Sequence, residues 1–301
     1  MLELRELLEW IEPYQADLAH PVQSFQLKGR NFDFNHHRYL MGVVNLSRDS
    51  WYRESVCLST TAAIERTRVL SAQGAHIIDI GAESTLPNAE RVPDKTQLAQ
   101  LQPILTPLKN QDLLLSVETY SPEVAHAVLQ EGAAVINLTG RTANKSIYKS
   151  VATHHAAVIL CYVQGENVRQ VDALHFKHDP TTEMETYFAQ EIDIARSCGV
   201  ERIFIDPGLG FYYRNLQDST NRIRHQMQTF LHTFRLRRLG WPVCHALPHA
   251  FEFFREEVRC AEPFFAVLAS LGGTSLLRTH EIPRTKAVLD TLAAWNPNPS
   301  H

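Results

Sequence analysis

Several predicted strands in this chain end on a polar side chain that could do chemistry. The clearest case is Asp206, which follows the apolar run 203–205 and precedes the turn sequence 207–210. The run is typical of a buried strand, and the proline and glycines after it turn the chain away. A carboxylate at the carboxyl end of a parallel strand is a common ligand-binding group. Taken alone, Asp206 could equally cap the turn that follows it.

Other predicted strands end in the same way, and their polar residues can be considered together. These residues are Asn45, Glu83, Glu118, Asn137, Arg278 and His280. Carboxylates and amides can pair with the ring N–H and amino groups of a flat heterocycle, and an arginine beside a histidine can bind an anion. Each residue alone could be a turn cap or a solvated strand end, but that interpretation is weak for all of them at once.

A regular alternation of short apolar and longer amphipathic runs begins at Tyr39 and predicts strand–helix units in a parallel sheet. The predicted strands are 40–45, 76–81, 113–118, 133–137, 157–161, 202–206, 242–245 and 275–278. The predicted helices are 61–73, 96–108, 122–130, 145–154, 183–198, 217–239, 252–271 and 283–294. Eight units favour an α/β TIM (β/α)8 barrel. An open doubly wound sheet is the alternative, but no GxGxxG follows the first strand.

The chain divides into three predicted parts. Residues 1–38 form an N-terminal extension with a short helix, 39–295 form the barrel, and 296–301 form a tail. We expect the extension to pack outside the barrel. Proline in two first helical turns and glycine just past three helix ends support the helix bounds. The positions are Pro122, Pro283, Gly74, Gly132 and Gly199.

Composition excludes several classes of function. The net charge of -4 and the absence of a basic run argue against a nucleic-acid partner, and no apolar stretch is long enough to span a membrane. The N-terminus is charged and amphipathic, unlike a signal peptide. Five scattered cysteines without a CxxC pair indicate free thiols in a reducing cytoplasm. His245 and His249 have helical ligand spacing, but Pro248 between them argues against a metal site there.

Six motifs in order resemble those of dihydropteroate synthase, the pterin-binding TIM barrel of folate synthesis. They are MGVVNLSRDSW at 41–51, IIDIGAESTLP at 77–87, LSVETY at 115–120, VIN at 135–137, DPGLGF at 206–211 and LRTHE at 277–281. The resemblance extends over 39–292. Any single motif is weak, but six in order with the spacing of a barrel are strong support for a divergent member of the family.

The resemblance implies an activity and a site. The family's enzyme condenses 4-aminobenzoate with a pterin methyl diphosphate and releases diphosphate. By resemblance the small-molecule pterin would be bound by Asp206, Asn137 and Glu118, with Gly210, Phe211, Thr85 and His249 beside them. The catalytic residues would be Asn45, Asp49, Arg278 and His280. Mg²⁺ would be bound with the substrate diphosphate and Asn45, which suits its preference for oxygen ligands and phosphate. A homodimer is possible.

The chain also departs from the family pattern. Residues 248–250 replace the Ser-Arg-Lys at the end of the seventh strand, so the lysine is missing. His249 could replace that cation only when it is protonated. Leu86 and Glu118 replace an arginine and an aspartate. The sequence therefore predicts a dihydropteroate synthase-like transferase, with a catalytically degenerate pterin-binding barrel as the alternative. Nothing speaks positively for a third possibility, a methyltransferase that acts with a corrinoid protein.

Overall fold

Eight apolar segments between residues 39 and 279 form the parallel strands of one sheet. A computed structural model describes residues 2–49, 52, 55–86, 89–141, 144–211 and 213–295. The predicted tail at 296–301 lies outside the described residues. An antiparallel hairpin, β1 (Phe25–Leu27) and β2 (Arg30–Phe32), precedes the sheet. The sheet strands are β3 (Tyr39–Asn45), β4 (Ile77–Gly81), β5 (Leu115–Thr119), β6 (Val135–Leu138), β7 (Ala157–Cys161), β8 (Ile203–Asp206), β9 (Cys244–Ala246) and β10 (Leu276–Thr279).

The sheet closes on itself. Its order is β8-β7-β6-β5-β4-β3-β10-β9, with every pair parallel. A parallel bridge between Ile205 and Val243 joins the two end strands, where the amide of Ile205 donates to the carbonyl of Pro242 at 3.1 Å. The closed eight-stranded barrel predicted from the sequence is therefore confirmed, and the open sheet is excluded.

Helices follow the strands and cover the outside of the barrel. They are α1 (Leu4–Ile11), α2 (Thr60–Ala72), α3 (Asp94–Leu108), α4 (Pro122–Gln130), α5 (Asn144–Thr153), α6 (Pro180–Ser197), α7 (Ser219–Leu231), α8 (Thr233–Leu236), α9 (Phe251–Phe254), α10 (Ala261–Leu271) and α11 (Ile282–Ala293). Side chains of Ser59, Ser121, Asp179 and Asp218 accept from the first-turn amides of α2, α4, α6 and α7. The prolines and glycines at the predicted helix ends are where the sequence placed them.

Two predicted helices are broken in the structure. The segment predicted as 217–239 divides into α7, α8 and a short 3-10 helix. The segment predicted as 252–271 divides into α9, a 3-10 helix over Arg255–Cys260, and α10. Arg255 has a φ of 47°, outside the helical region, so α9 ends after one turn. Ala250, with a φ of 46°, begins it.

The hairpin of the N-terminal extension closes the amino-terminal end of the barrel. The Phe34 ring packs 5.3 Å from the Phe204 ring, and the Phe32 ring lies 4.7 Å from the Tyr39 ring. Helix α1 instead packs outside, with Trp10 against His232 near α8. The expectation that the extension lies outside the barrel is therefore wrong for the hairpin, because its phenylalanines complete the core at that end.

Strand alternation directs the polar residues of the sheet inward. Successive side chains of a strand point to opposite faces, so residues two apart share the barrel interior. Met41 and Tyr39 of β3 face the interior core while Leu40 faces the helices. In register with Met41 lies Arg278, and Glu118 pairs in register with Asn137. The interior is apolar near the hairpin and polar near the carboxyl ends of the strands. No helix among the described residues has the length and apolar character needed to cross a membrane.

Candidate active site

A cavity of about 230 Å³ opens at the carboxyl ends of the strands, and a recess of about 50 Å³ lies deeper in the barrel. The larger cavity is lined by the predicted site residues Asn45, Thr85, Glu118, Gly210, Phe211, His249, Arg278 and His280. The recess is lined by Thr85, Glu118, Asn137, Asp206, Gly210, Phe211 and Arg278. The structure thus brings together every predicted site residue except Asp49. That residue is exposed in the loop after β3 and lines neither cavity.

An ion-pair network lies where the two cavities meet. Arg278 donates from Nε to Asp79 at 2.8 Å and from a terminal nitrogen to Glu118 at 2.9 Å. Asp79 is fully buried and also accepts from Ser116 at 2.6 Å and Asn137 at 3.1 Å. Burial opposes the charge of Arg278, but the two carboxylates outweigh it and raise its pKa. Arg278 was predicted to bind an anion, yet the protein already balances its charge.

Asn137 has a fixed orientation in the recess. Its Nδ2 atom donates to Asp79, so its Oδ1 atom is the acceptor, and the Cys161 thiol lies 3.5 Å from that oxygen. The side chain is only 4% exposed. A ligand in the recess therefore meets an amide oxygen whose position is set by Asp79 of β4 and Cys161 of β7.

Asp206 is the least neutralised acid in the recess. It is 5% exposed, and Oδ1 accepts from the amide of Gly208 at 2.8 Å. Burial raises the pKa of Asp206 to about 6. Gly208 has a φ of 77°, and a Cβ there would lie 2.5 Å from the carbonyl oxygen of Tyr162. Glycine is therefore required at the turn that holds the carboxylate.

Glu118 also has a raised pKa. Burial, which outweighs the opposing charge of Arg278, raises the pKa of Glu118 to about 7. The nearby acids Asp79 and Asp206 act in the same direction. Glu118 and Asp206 thus titrate near neutral pH, which is typical of acids in functional sites.

Glu83 lines the larger cavity but is occupied by loop contacts. Its side chain lies 3.0 Å from Arg169, and it accepts from the Tyr120 hydroxyl at 2.6 Å and the Val92 amide at 2.8 Å. Arg169 belongs to the long loop after β7 and also donates to the carbonyls of Ser84 and other residues of the loop after β4. Glu83 therefore joins two loops over the cavity.

Two histidines and a glutamate form a cluster in the wall of the larger cavity. His280 lies with Nδ1 2.7 Å from Oε1 of Glu262, and His249 lies with Nδ1 3.4 Å from the same oxygen. The Tyr52 ring stacks on His249 at 4.9 Å and packs against His280 at 4.7 Å. Burial lowers the pKa of His249 to about 4. His249 is thus neutral at neutral pH, so the prediction that it replaces the missing cation is not supported by its surroundings.

One wall of the larger cavity is formed by the loop after β8 and by helices α7 and α9. Arg222 pairs with Glu252 at 2.6 Å, so this arginine is also neutralised. Gln226 donates to the carbonyl of Leu209 at 3.0 Å, while its buried Oε1 atom has no hydrogen-bond partner in the structure. Phe211 adds an aromatic wall. No lysine among the described residues lines either cavity.

The residues at the cavity mouth fit Mg²⁺. Asn45 donates from Nδ2 to Ser55 at 2.7 Å, and its side chain carries an amide oxygen, the ligand type that Mg²⁺ prefers. The backbone carbonyl of Asn45 accepts from Cys57, and a bridge to Val56 ties this strand end to the loop. Asn45 and Ser47 supply oxygen atoms but no closed cage, as expected for an ion bound mainly through phosphate.

Sequence reasoning missed several residues of the site. Asp79 interrupts the apolar strand β4, and a carboxylate buried in such a strand must be paired. Glu262 is likewise the only charged residue of the apolar helix α10, and it is 1% exposed. These two signals were present in the sequence. The packing of Tyr52 against His249 and His280 could not be predicted, because Tyr52 lies in a loop without a regular sequence pattern.

The fold and the site belong to a known class. The profile described as pterin binding enzyme matches residues 41–280, which is most of the chain. The chain is therefore a member of the pterin binding enzyme family.

Within this family, the chain is similar in sequence and in structure to dihydropteroate synthases. The chain is 35% identical over 216 residues to a dihydropteroate synthase of Synechocystis sp., which covers 70% of this chain and 72% of that protein. It is 29% identical over 188 residues to a folate synthesis bifunctional protein of Arabidopsis thaliana, covering 60% of this chain and 39% of that protein. The structure of Xanthomonas albilineans dihydropteroate synthase with 4-aminobenzoic acid has a TM-score of 0.77, 28% identity, and coverage of 92% of this chain and 100% of that chain. The family predicted by resemblance is confirmed.

Proposed function

We propose that this protein condenses a pterin methyl diphosphate with 4-aminobenzoate and releases diphosphate, as a transferase of folate synthesis. The observation that carries the proposal is the set of buried acceptors in the recess, formed by Asp206, Asn137 and Glu118. The enzyme from Xanthomonas albilineans has been solved in complex with 7,8-dihydropteroate, with a TM-score of 0.73 and 26% identity to this chain. That protein therefore binds the kind of product that the proposal requires.

The recess suits the pterin half. A pterin ring carries N–H and amino donors, and burial of such donors without acceptors costs about 1–3 kcal/mol. Asp206 receives one backbone hydrogen bond from Gly208 and can accept more. The aromatic ring of Phe211 borders the same space. A flat ring with donors on one edge thus satisfies both the polar and the apolar parts of the recess.

The larger cavity suits the reacting end. In the proposed step the C–O bond between the pterin methylene and the diphosphate breaks, and the amine nitrogen of 4-aminobenzoate forms the new C–N bond. The amine then loses one proton, and diphosphate leaves with the electrons of the broken bond. Asn45 would hold Mg²⁺ on that diphosphate, where the ion neutralises developing charge. His280 and Asn45 line this cavity and would orient the leaving group.

A pterin-binding barrel without turnover is the second candidate, and one observation favours it. Both arginines of the larger cavity, Arg278 and Arg222, are paired with carboxylates, and His249 is neutral. The diphosphate therefore meets little uncompensated positive charge from the described side chains. Pterin binding would survive this loss, whereas departure of the diphosphate would slow.

A turnover assay with pterin diphosphate, 4-aminobenzoate and Mg²⁺ tests the proposal, beside calorimetry with pterin alone. We expect product formation by the wild type and loss of pterin affinity of roughly 5–150-fold in Asp206→Asn. Asp193→Asn is the matched control, because Asp193 is exposed on α6 away from the cavities. Pterin binding without product would favour the second candidate. Unchanged pterin affinity in Asp206→Asn would contradict both.

Two further expectations from the sequence remain proposals. We propose a cytoplasmic location, in keeping with five cysteines that carry free thiols. We also propose a homodimer, which sedimentation velocity would detect. A monomer at all accessible protein concentrations would contradict the second of these.

A further inference from the structure

The cluster of His249, Glu262 and His280 has the donor set of a metal site. Its ligand atoms, one from each residue, all lie within 4.8 Å of one another. Two imidazole nitrogens and one carboxylate oxygen form the three-protein-ligand set found in catalytic zinc sites. Neither the pterin nor the Mg²⁺ proposed above needs all three residues together.

The carboxylate is held so that one oxygen remains for the histidines. Oε2 of Glu262 accepts from the amides of His280 at 2.8 Å and Glu281 at 3.2 Å, and also from the hydroxyl of Thr279. Oε1 faces Nδ1 of His280 and Nδ1 of His249. Supporting contacts of this kind orient the ligands of protein metal sites.

His249 supplies a second observation that points to a ligand. Its Nδ1 atom is buried and has no hydrogen-bond partner in the structure, although it lies 3.4 Å from Oε1 of Glu262. A buried polar atom without a partner is unusual and costs free energy. A metal ion between the ring and the carboxylate would satisfy this nitrogen.

We propose that His249, Glu262 and His280 bind one divalent transition-metal ion, with Zn²⁺ or Co²⁺ as the suited class. Metal–ligand distances of about 2.0–2.2 Å place neighbouring ligand atoms roughly 3–3.5 Å apart. The two separations from Glu262, 2.7 Å and 3.4 Å, lie near that range, whereas the three ligand atoms together span up to 4.8 Å, so the two imidazole rings must turn toward each other when the ion binds. Imidazole ligands favour zinc, cobalt or nickel over Mg²⁺, which prefers oxygen.

The proposed ion would lie in the wall of the larger cavity. His249 and His280 both line this cavity, whereas Glu262 is buried behind them. Three protein ligands leave a fourth tetrahedral position for water or for an oxygen of a bound molecule. The ion would also add positive charge in the wall whose arginines are already paired.

A titration tests the inference. Zn²⁺ or Co²⁺ is added to metal-free protein in the absence of any substrate. We expect one tight equivalent by calorimetry and visible ligand-field bands with Co²⁺. His249→Ala and Glu262→Gln should each weaken binding by about 100-fold or more, because even outer-shell changes cost 10–100-fold. The glutamine of the Glu262→Gln variant has nearly the same shape as the glutamate but carries no charge.

Matched controls separate this site from metal binding elsewhere. His225→Ala removes a half-buried histidine outside the cluster, and Glu191→Gln removes a carboxylate that accepts from Tyr148. Both should bind Zn²⁺ like the wild type. If Glu262→Gln fails to fold, His249→Ala alone decides, since Nδ1 of His249 has no hydrogen bond to lose. Weak binding at several sites, or tight binding that His249→Ala leaves unchanged, would overturn the inference, whether or not the protein turns over pterin diphosphate.

Discussion

Nε of Arg278 donates to Oδ2 of Asp79 at 2.8 Å, so the guanidinium of β10 is joined to the carboxylate of β4 across the barrel interior. Strand β3 lies between β10 and β4 in the sheet. The ion pair therefore connects strands that share no backbone hydrogen bonds. The ion pair lies beneath the larger cavity, so it both stabilises the barrel interior and forms part of the floor of the site.

Asp79→Asn should destabilise the protein by about 3 kcal/mol, because removal of one partner leaves a buried charge uncompensated. Asn137 and Ser116 would lose the charge of their acceptor as well. Urea unfolding of Asp79→Asn, wild type and the exposed control Asp193→Asn measures this. A change below about 1 kcal/mol in Asp79→Asn would show that Glu118 alone compensates Arg278.

Pterin affinity should fall as pH falls below about 6. Because the pKa of Asp206 is raised to about 6, its carboxylate, which would accept from pterin donors under the proposed function, is protonated as pH falls through that range. Affinity should weaken by up to about tenfold per pH unit, since one proton is taken up. Calorimetry across pH 5 to 8 should show this in the wild type and not in Asp206→Asn. The same slope in both proteins would assign the dependence to another group.

Stability without ligand should change in the opposite direction. Because burial raises the pKa of Asp206 from 3.8 to about 6, the folded state keeps a proton that the unfolded state has released between these values. The free energy of unfolding should therefore fall by up to about 3 kcal/mol as pH rises from about 4 to 6. Asp206→Asn should reduce this slope. A wild-type curve that rises over the interval would refute the prediction.

Gly208→Ala should destabilise the protein more than Gly240→Ala. Both glycines have nearly the same positive φ, 77° and 76°, so both variants carry a backbone cost of about 1–2 kcal/mol. Only Gly208 has neighbours in the way, at 2.5 Å from the Tyr162 oxygen and 2.9 Å from the Phe211 ring. Thermal and urea unfolding compare them. Equal losses would mean that the turn adjusts without disturbing Asp206.

Ala250→Lys should not increase condensation with 4-aminobenzoate more than about threefold. The position corresponds to the missing lysine, but Ala250 is buried with a φ of 46°, and Leu86 and the loop after β3 also depart from the family. Burial of a lysine without a partner is costly. Ala250→Met is the control, with a chain of similar length and no charge. A large gain in the condensation rate of Ala250→Lys, without a gain in Ala250→Met, would show that the part of the cavity proposed to bind 4-aminobenzoate is otherwise intact.

The strand-end residues could be predicted because two rules place them. Parallel strands end at one mouth of the barrel, and alternation sends every second side chain inward. These rules bring Asp206, Asn137, Glu118 and Arg278 together without any knowledge of their contacts. Neither rule applies to Asp49, because it lies in a loop, and its proposed role stays a prediction.

The pairing of side chains could not be predicted in the same way. Arg278 was expected to face an anion, yet its partners Asp79 and Glu118 come from strands far away in sequence. Glu262 reaches His249 and His280 only because α10 packs behind β10. The hairpin at the barrel end depends on distant phenylalanine contacts, for which a local pattern carries no signal.

The phenylalanine-packed hairpin fills the amino-terminal end of the barrel, so in the part of the chain that the structure describes the interior opens at the carboxyl ends of the strands. The recess around Asp206 is reached through the larger cavity, since the two share Glu118, Phe211 and Arg278. Under the proposed chemistry the molecule in the recess must arrive before the one that fills the mouth, and the joined product must leave by the same route. If the proposed function holds, this architecture would impose an order of substrate addition, because a molecule in the mouth would keep the molecule in the recess from leaving.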